Sequence, residues 1–122
     1  MAQSIFSRYG GFASVSKVVS AFYGKALDSA LLSPYFAAVD MARVIDHQTK
    51  FIASLMGGPA SYSNEELERI HSHLGIDEAE FQEMVDLLTE TLEDFDFDDA
   101  DIAAVQSAIV GRKRYIVIRA AA

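Results

Sequence analysis

The stretch VSKVVSAFYGKA, residues 15–26, carries apolar side chains at a spacing that returns every three to four residues. The members of this pattern are Val15, Val18, Val19, Phe22, Tyr23 and Ala26. An α-helix of about 3.6 residues per turn places all of them on one side. The stretch therefore predicts a helix that buries one face and carries the phenol of Tyr23 into the interior.

Two glycine pairs mark corners of the predicted fold. Gly10 and Gly11 precede the first long helix and permit a sharp backbone turn after a short leading helix over residues 3–9. Downstream, Asp40 predicts the cap of a second long helix, and the GGP sequence at residues 57–59 ends it at about Met56. The inward stripe of that helix comprises Val44, His47, Gln48, Phe51, Ile52 and Leu55.

Capping patterns predict the remaining helix starts. Ser33 is predicted to cap a short helix, because Pro34 follows it at the first helical position. Ser63 with Glu66, and then Asp77 with Glu80, have the spacing of capping boxes. The first opens a brief helix through Leu74, and the second opens a helix with Phe81, Met84, Val85, Leu88, Leu92 and Phe95 on its apolar face.

The acidic run DFDFDDAD, residues 94–101, turns the chain into a last helix capped by Asp98 or Asp99. That helix carries Ile102, Val105, Ile109 and Ile116. No alternating strand pattern appears outside YIVI at residues 115–118, which continues the helical spacing. The predicted fold class is all-α, in a single domain over residues 1–122.

The composition of the chain excludes several kinds of site and partner. The chain has 122 residues, 51% of them hydrophobic, which is enough for one domain with its own core. It has no cysteine, so disulfides and thiolate metal sites are excluded. A net charge of −8 argues against nucleic-acid and anionic-membrane partners. We see no signal peptide and no apolar run approaching the roughly 20 residues of a membrane span, and therefore expect a cytoplasmic protein.

The stretch ERIHSHLGI, residues 68–76, contains two of the three histidines. The inward stripe of its predicted helix is Leu67, Ile70, His71 and Leu74. His71 therefore points inward, whereas His73 lies off the stripe and is expected to be solvated. A lone inward histidine is more often a core residue hydrogen-bonded to a carbonyl than a ligand.

His71 does not stand alone, because Tyr23, His47 and Gln48 lie on the apolar stripes of other helices. Each costs about 1–3 kcal/mol if it is buried without a hydrogen-bond partner. Four such side chains predict a polar-lined pocket in which an imidazole could bind iron or zinc. Zinc requires three or four ligands, and the chain has neither an HExxH motif nor cysteine. Haem requires one or two axial ligands and a large apolar slot, which the Phe, Met, Val and Ile residues supply.

The chain resembles the group I truncated haemoglobins, the short 2-on-2 globins, from about Tyr9 to Arg119. The matching segments are YGG at 9–11, FY at 22–23, PYFAAVDM at 34–41, HQTKFIASLMGGP at 47–59, SY at 61–62 and IHSHLGI at 70–76. The resemblance implies a truncated 2-on-2 globin fold around a haem pocket, with haem b as the cofactor. It also implies diatomic gas ligands, namely O₂, NO and CO.

The resemblance further implies roles for individual residues. His71 matches the proximal iron ligand, and Phe36 matches the phenylalanine that packs on the haem face. Tyr23 and Gln48 match the distal pair that hydrogen-bonds iron-bound oxygen. Val44 stands where other globins often carry the distal histidine. On the same stripe as Val44, Phe51 is expected to line the pocket.

His47 has two interpretations. In some relatives a histidine at this place reaches the iron as a sixth ligand, and we expect the same here; the alternative is a contact with a haem propionate at the pocket rim. Other relatives attach a haem vinyl group to a histidine on the last helix, but no histidine follows His73. We therefore expect non-covalent haem. Candidates for the propionates, by position only, are Arg43, Lys50, Tyr62 and Arg69.

Three functions remain open from the sequence. The first is reversible O₂ binding, or the use of bound O₂ to convert nitric oxide to nitrate, as a nitric oxide dioxygenase that needs a reductase partner. The second is a haem with both His47 and His71 as ligands, serving electron transfer or redox sensing. The third is a helical interaction module without haem, which leaves Tyr23, Gln48 and His71 unexplained together.

Overall fold

In the computed structural model of the chain, residues 4–37, 39–58, 76–113 and 117 are described. They form α1 (Ile5–Arg8), α2 (Gly11–Asp28), a 3₁₀ turn (Ser33–Phe36), α3 (Met41–Leu55), α4 (Glu78–Asp94) and α5 (Asp99–Val110). No strand occurs in this part of the chain. The predicted all-α class is confirmed.

The α2 helix is the central element, and it packs against α1, α3, α4 and the 3₁₀ turn. Its buried residues are Val15, Val18, Val19, Phe22, Tyr23 and Ala26, the six that the spacing predicted. Positive φ angles at Gly10 (103°) and Gly11 (74°) turn the chain from α1 into α2. Such angles are accessible to glycine at little steric cost, so the corner depends on this pair.

The α3 helix begins and ends where the sequence predicted. The side chain of Asp40 accepts hydrogen bonds from the backbone N–H groups of Ala42 (3.1 Å) and Arg43 (3.4 Å), as an N-cap does. At the other end, a Cβ atom on Gly58 would lie only 2.9 Å from the carbonyl oxygen of Ala53. This glycine therefore lets the chain leave the helix close to its last turn.

The α4 helix opens with the predicted capping box, in which Asp77 and Glu80 each accept the other's backbone N–H. It ends earlier than the apolar pattern indicates. Phe95 is the C-cap, and the φ angle of Asp96 is 60°, so the helical spacing does not continue past this point. Phe95 is 37% exposed, and the buried residue after the turn is Phe97, at 6% exposure.

Two further details differ from the sequence prediction. Ser33 is the first residue of the 3₁₀ turn and not its cap, which is Leu32. The reason is that the chain already coils before this point, since the Ser33 N–H donates to the Ser29 carbonyl at 2.8 Å. Asp98 precedes α5 as predicted, but its side chain makes no capping hydrogen bond.

Some predictions fall beyond the described residues. These are the brief helix from Ser63 to Leu74, with both of its histidines, and the last turns that carry Arg114, Ile116 and Arg119. Among the helices that are described, none has the length and apolar character needed to cross a membrane.

A cluster of polar and aromatic contacts fastens α1 to the start of α5. Arg8 donates two hydrogen bonds to the Asp101 carboxylate, at 2.9 and 2.7 Å, and the Tyr9 hydroxyl donates a third at 2.7 Å. The same hydroxyl accepts the backbone N–H of Asp98, and the Tyr9 ring stacks on Phe97 at 3.8 Å. The hydrogen bonds from Arg8 and then Tyr9 hold the pKa of Asp101 below its ordinary value.

We predict that Asp101→Asn lowers the melting temperature near neutral pH more than Asp99→Asn does. Both changes remove a carboxylate from the first turn of α5, but only Asp101 contacts Arg8 and Tyr9. A carboxylate with a lowered pKa stabilises the fold above its ordinary value of 3.8 and loses this effect as the pH falls through the folded-state value. Thermal unfolding at several pH values should therefore show the two variants converging in acid; a gap that persists there would contradict the assignment.

Candidate functional site

A cavity of about 470 Å³ lies among α2, the 3₁₀ turn, α3 and α4. Its volume falls within the roughly 300–1,000 Å³ typical of small-molecule and cofactor sites. The described residues of its wall are mostly apolar; the polar ones are Tyr23, Tyr35, Gln48 and Glu80. A largely apolar slot with few polar groups is the kind of environment that holds a haem.

Tyr23 reaches the cavity from α2. Its ring makes edge-to-face contacts with Phe22, at 4.9 Å between centroids, and with Phe36 of the 3₁₀ turn, at 5.4 Å. The side chain is 8% exposed, and this burial raises the pKa of the phenol. The hydroxyl therefore stays protonated and able to donate, yet it makes no hydrogen bond to any described residue.

Gln48 reaches the same cavity from α3, one turn after Val44. The residue is half-buried and, within the described parts of the chain, its amide also lacks a hydrogen-bond partner. The amide N–H groups are therefore able to donate to a polar atom of a ligand in the cavity. The two donors stand on different helices, so a ligand between them could accept from both.

Five of the seven predicted site residues line this one cavity: Tyr23, Phe36, Val44, Gln48 and Phe51. His71 lies outside the described residues. The side chain of His47 is exposed and is not part of the cavity wall, so the prediction that it faces the pocket differs from the structure.

The helical geometry of α3 explains the position of His47. Successive residues are about 100° apart around a helix axis. The cavity-facing residues Val44, Gln48 and Ile52 therefore leave His47 at the edge of the stripe, where a small difference in helix orientation moves it to solvent. The candidate propionate partners Arg43 and Lys50 are also exposed, and Lys50 pairs with Asp46 at 3.1 Å.

Tyr35 and Glu80 form a wall contact that the sequence did not predict. The Tyr35 hydroxyl donates to Oε1 of Glu80 at 2.6 Å, and the same oxygen accepts the Asp77 N–H at 2.9 Å. The capping-box spacing identified Glu80 as a helix-start residue, but no local pattern shows that its carboxylate also faces a cavity. Sequence position offers a partial signal, since Tyr35 immediately precedes the predicted haem contact Phe36.

Comparison with known proteins identifies the family to which the chain belongs. The sequence model of the bacterial-like globin family matches residues 4–114. A group 1 truncated haemoglobin of Tetrahymena pyriformis is 28% identical over 100 residues, which cover 82% of this chain and 83% of that protein. Another, from Mycolicibacterium paratuberculosis, is 34% identical over 73 residues, which cover 60% of this chain and 54% of the relative.

Solved structures agree in fold. The 2/2 haemoglobin of Synechococcus sp., in its cyanomet state and with covalently attached haem, has a TM-score of 0.87 at 25% identity, covering 96% of this chain and 100% of that one. The ferric truncated haemoglobin of Tetrahymena pyriformis has a TM-score of 0.85 at 25% identity, covering 94% and 98%.

The chain therefore belongs to the bacterial-like globin family, as one of its truncated haemoglobins. Membership implies a haem cofactor and a small gas ligand such as O₂. The mostly apolar cavity fits a haem, and Tyr23 and Gln48, which have no hydrogen-bond partner among the described residues, fit a small polar ligand beside it.

Proposed function

We propose that the chain holds haem b without a covalent link and binds O₂ reversibly in the cavity, with NO and CO as further ligands. The observation that carries this proposal is the pairing of Tyr23 and Gln48, two hydrogen-bond donors without described partners, on the wall of an otherwise apolar cavity. The haem supplies the iron at which the gas binds. The remaining properties of the site come from side chains of the chain itself.

Tyr23 and Gln48 select for a ligand that carries negative charge. O₂ on ferrous haem gains partial negative charge, to which a hydroxyl and an amide N–H can both donate. A hydrogen bond to a charged group contributes about 1.5–3 kcal/mol. Such a bond slows ligand dissociation by roughly 10- to 150-fold. Phe22 and Phe36 contact the Tyr23 ring edge-on and hold it beside the cavity.

His71 is proposed as the proximal iron ligand. The support is its place on the inward stripe of its predicted helix, together with the match of IHSHLGI at residues 70–76 to the truncated haemoglobins. Because no histidine follows His73, a histidine of the last helix cannot attach to the haem. The haem should therefore be extractable.

An enzymatic role is the main alternative use of the same site. Oxidation of nitric oxide to nitrate by O₂ requires a reductase to supply electrons for repeated turnover. The exposed position of His47 does not favour a redox role with two histidine ligands, although rotation of α3 would permit one.

We predict that His71→Ala largely abolishes stable haem binding, whereas His73→Ala leaves it intact. The reason is that the helical spacing places only His71 on the inward stripe. Titration of each apoprotein with haem, followed at the Soret band, measures the difference. If both variants bind haem alike, the predicted helix over this segment is wrong.

We predict that Tyr23→Phe speeds O₂ dissociation by at least about tenfold, because it removes one donor to a charged ligand. CO carries little charge when bound, so its dissociation rate should hardly change. Stopped-flow measurement of both rates on the haem-loaded protein tests the proposed function. Equal effects on the two gases would mean that Tyr23 acts through its shape and not through its hydroxyl.

The exposed position of His47 leads to a prediction about the coordination of the iron. We predict that the ferrous protein without added gas is five-coordinate and that His47→Leu leaves its absorption spectrum and its CO binding rate unchanged. Were His47 bound to the iron about 99% of the time, apparent affinity for CO would fall roughly a hundredfold, and the wild-type binding rate would reach a plateau at high CO. A six-coordinate wild-type spectrum that becomes five-coordinate in the variant would contradict the exposed position and show that α3 rotates.

A further inference from the structure

Among the described residues, packing of the Tyr23 ring sets the direction of its hydroxyl. The hydroxyl has no hydrogen-bond partner in the described structure, so no polar contact there fixes the ring. Two aromatic neighbours hold it. Phe22 is the preceding residue of the same helix, whereas Phe36 comes from the 3₁₀ turn and meets the Tyr23 ring edge-on, at 85° between the ring planes. The position of Tyr23 therefore depends on where the turn holds Phe36.

The turn itself is a weak element. It has four residues, Ser33–Phe36, and no side chain caps its start. Short 3₁₀ segments have poor hydrogen-bond geometry, so they rely on tertiary contacts for their position. One such contact lies just before the turn, where the Ser29 hydroxyl donates to Glu83 at 2.8 Å. A second is within the turn, where the hydroxyl of Tyr35 donates to Glu80 at 2.6 Å.

Glu80 is suited to anchor the turn. Its side chain is 8% exposed, and a buried carboxylate is stable only when hydrogen bonds satisfy it. The oxygen that accepts the Tyr35 hydroxyl also accepts the Asp77 N–H, as part of the capping box that opens α4. The capping box thus fixes the carboxylate independently of its contact with the turn. The hydrogen bond from Tyr35 is also strong for its kind, because a bond to a charged acceptor is stronger than one between neutral groups.

We propose that the Tyr35–Glu80 hydrogen bond is a positioning contact for ligand retention: it fixes Phe36, and Phe36 holds the Tyr23 hydroxyl toward the gas. The inference rests on the proposed function, since it concerns how the Tyr23 donor is aimed. Tyr35 and Glu80 act through Tyr23. Loss of their hydrogen bond should therefore change the hydrogen bond to O₂ and leave an uncharged ligand almost unaffected.

The test is Tyr35→Phe in the haem-loaded protein, a change that removes one oxygen atom and keeps the ring. O₂ dissociation should become about three- to tenfold faster, which is less than complete loss of the Tyr23 hydroxyl causes. CO dissociation should stay within about twofold, because hydrogen bonding contributes little to its retention. The C–O stretching frequency of the CO complex should rise, since the field from Tyr23 weakens.

Tyr9→Phe is the matched control. It also removes a tyrosine hydroxyl bonded to a carboxylate, here Asp101 at 2.7 Å, but it does so at the junction of α1 and α5, away from the cavity wall. This variant should lose thermal stability and keep the wild-type ratio of O₂ to CO dissociation rates. A change in that ratio equal to the Tyr35→Phe effect would show that general loosening is enough, and would overturn the proposal.

The double variant Tyr23→Phe/Tyr35→Phe separates the inference from the function on which it rests. With the Tyr23 hydroxyl gone, loss of the Tyr35 hydroxyl should add nothing to the O₂ dissociation rate. If Tyr23→Phe alone leaves that rate unchanged, the proposed function fails. If Tyr23→Phe speeds dissociation and Tyr35→Phe does not, the function stands and the positioning contact is overturned.

Glu80→Gln covers the case in which Tyr35→Phe fails to hold haem. Glutamine keeps the shape and an acceptor oxygen, but a neutral acceptor weakens the bond from Tyr35. O₂ dissociation should accelerate at least about twofold, with CO unchanged. Wild-type rates for both gases in this variant would overturn the proposal.

Discussion

The packing of α2 against α3 is the constraint on which the site depends. Each helix has an apolar stripe, and Val18 of α2 and Ala53 of α3 are completely buried. Each helix also carries a polar residue that lines the cavity, Tyr23 on α2 and Gln48 on α3. The same side-by-side packing that closes the core thus fixes two donors on one cavity wall.

The cavity also has an energetic consequence. Its wall is mostly apolar, so side chains that line the empty slot lack packing partners on the cavity side, and a ligand would supply those contacts. A ligand that fills the slot in the folded state alone stabilises the fold by mass action, so haem binding and folding should be tightly linked.

The sequence predicted those features that local physics determines. The 3.6-residue period identified every buried residue of α2, and capping chemistry identified Asp40 and the Asp77–Glu80 box. It did not predict Phe97 in place of Phe95, because the positive φ angle at Asp96 has no signature in residue spacing. Tyr35 and Glu80 were missed as a pair because their contact spans 45 positions along the chain. The role of His71 stays a prediction, since that residue lies beyond the described parts of the chain.

Adjacent residues on α3 make two states of the site mutually exclusive. Gln48 lines the cavity while His47 is exposed, and the two are about 100° apart around the helix. Rotation of α3 that brings His47 to the iron therefore turns Gln48 away, so His47 ligation would both block the gas and remove one of its donors. The Thr49 hydroxyl donates to the Ile45 carbonyl at 2.7 Å across this turn, and such bonds weaken a helix slightly. The bond thus lies in the turn of α3 that would have to move.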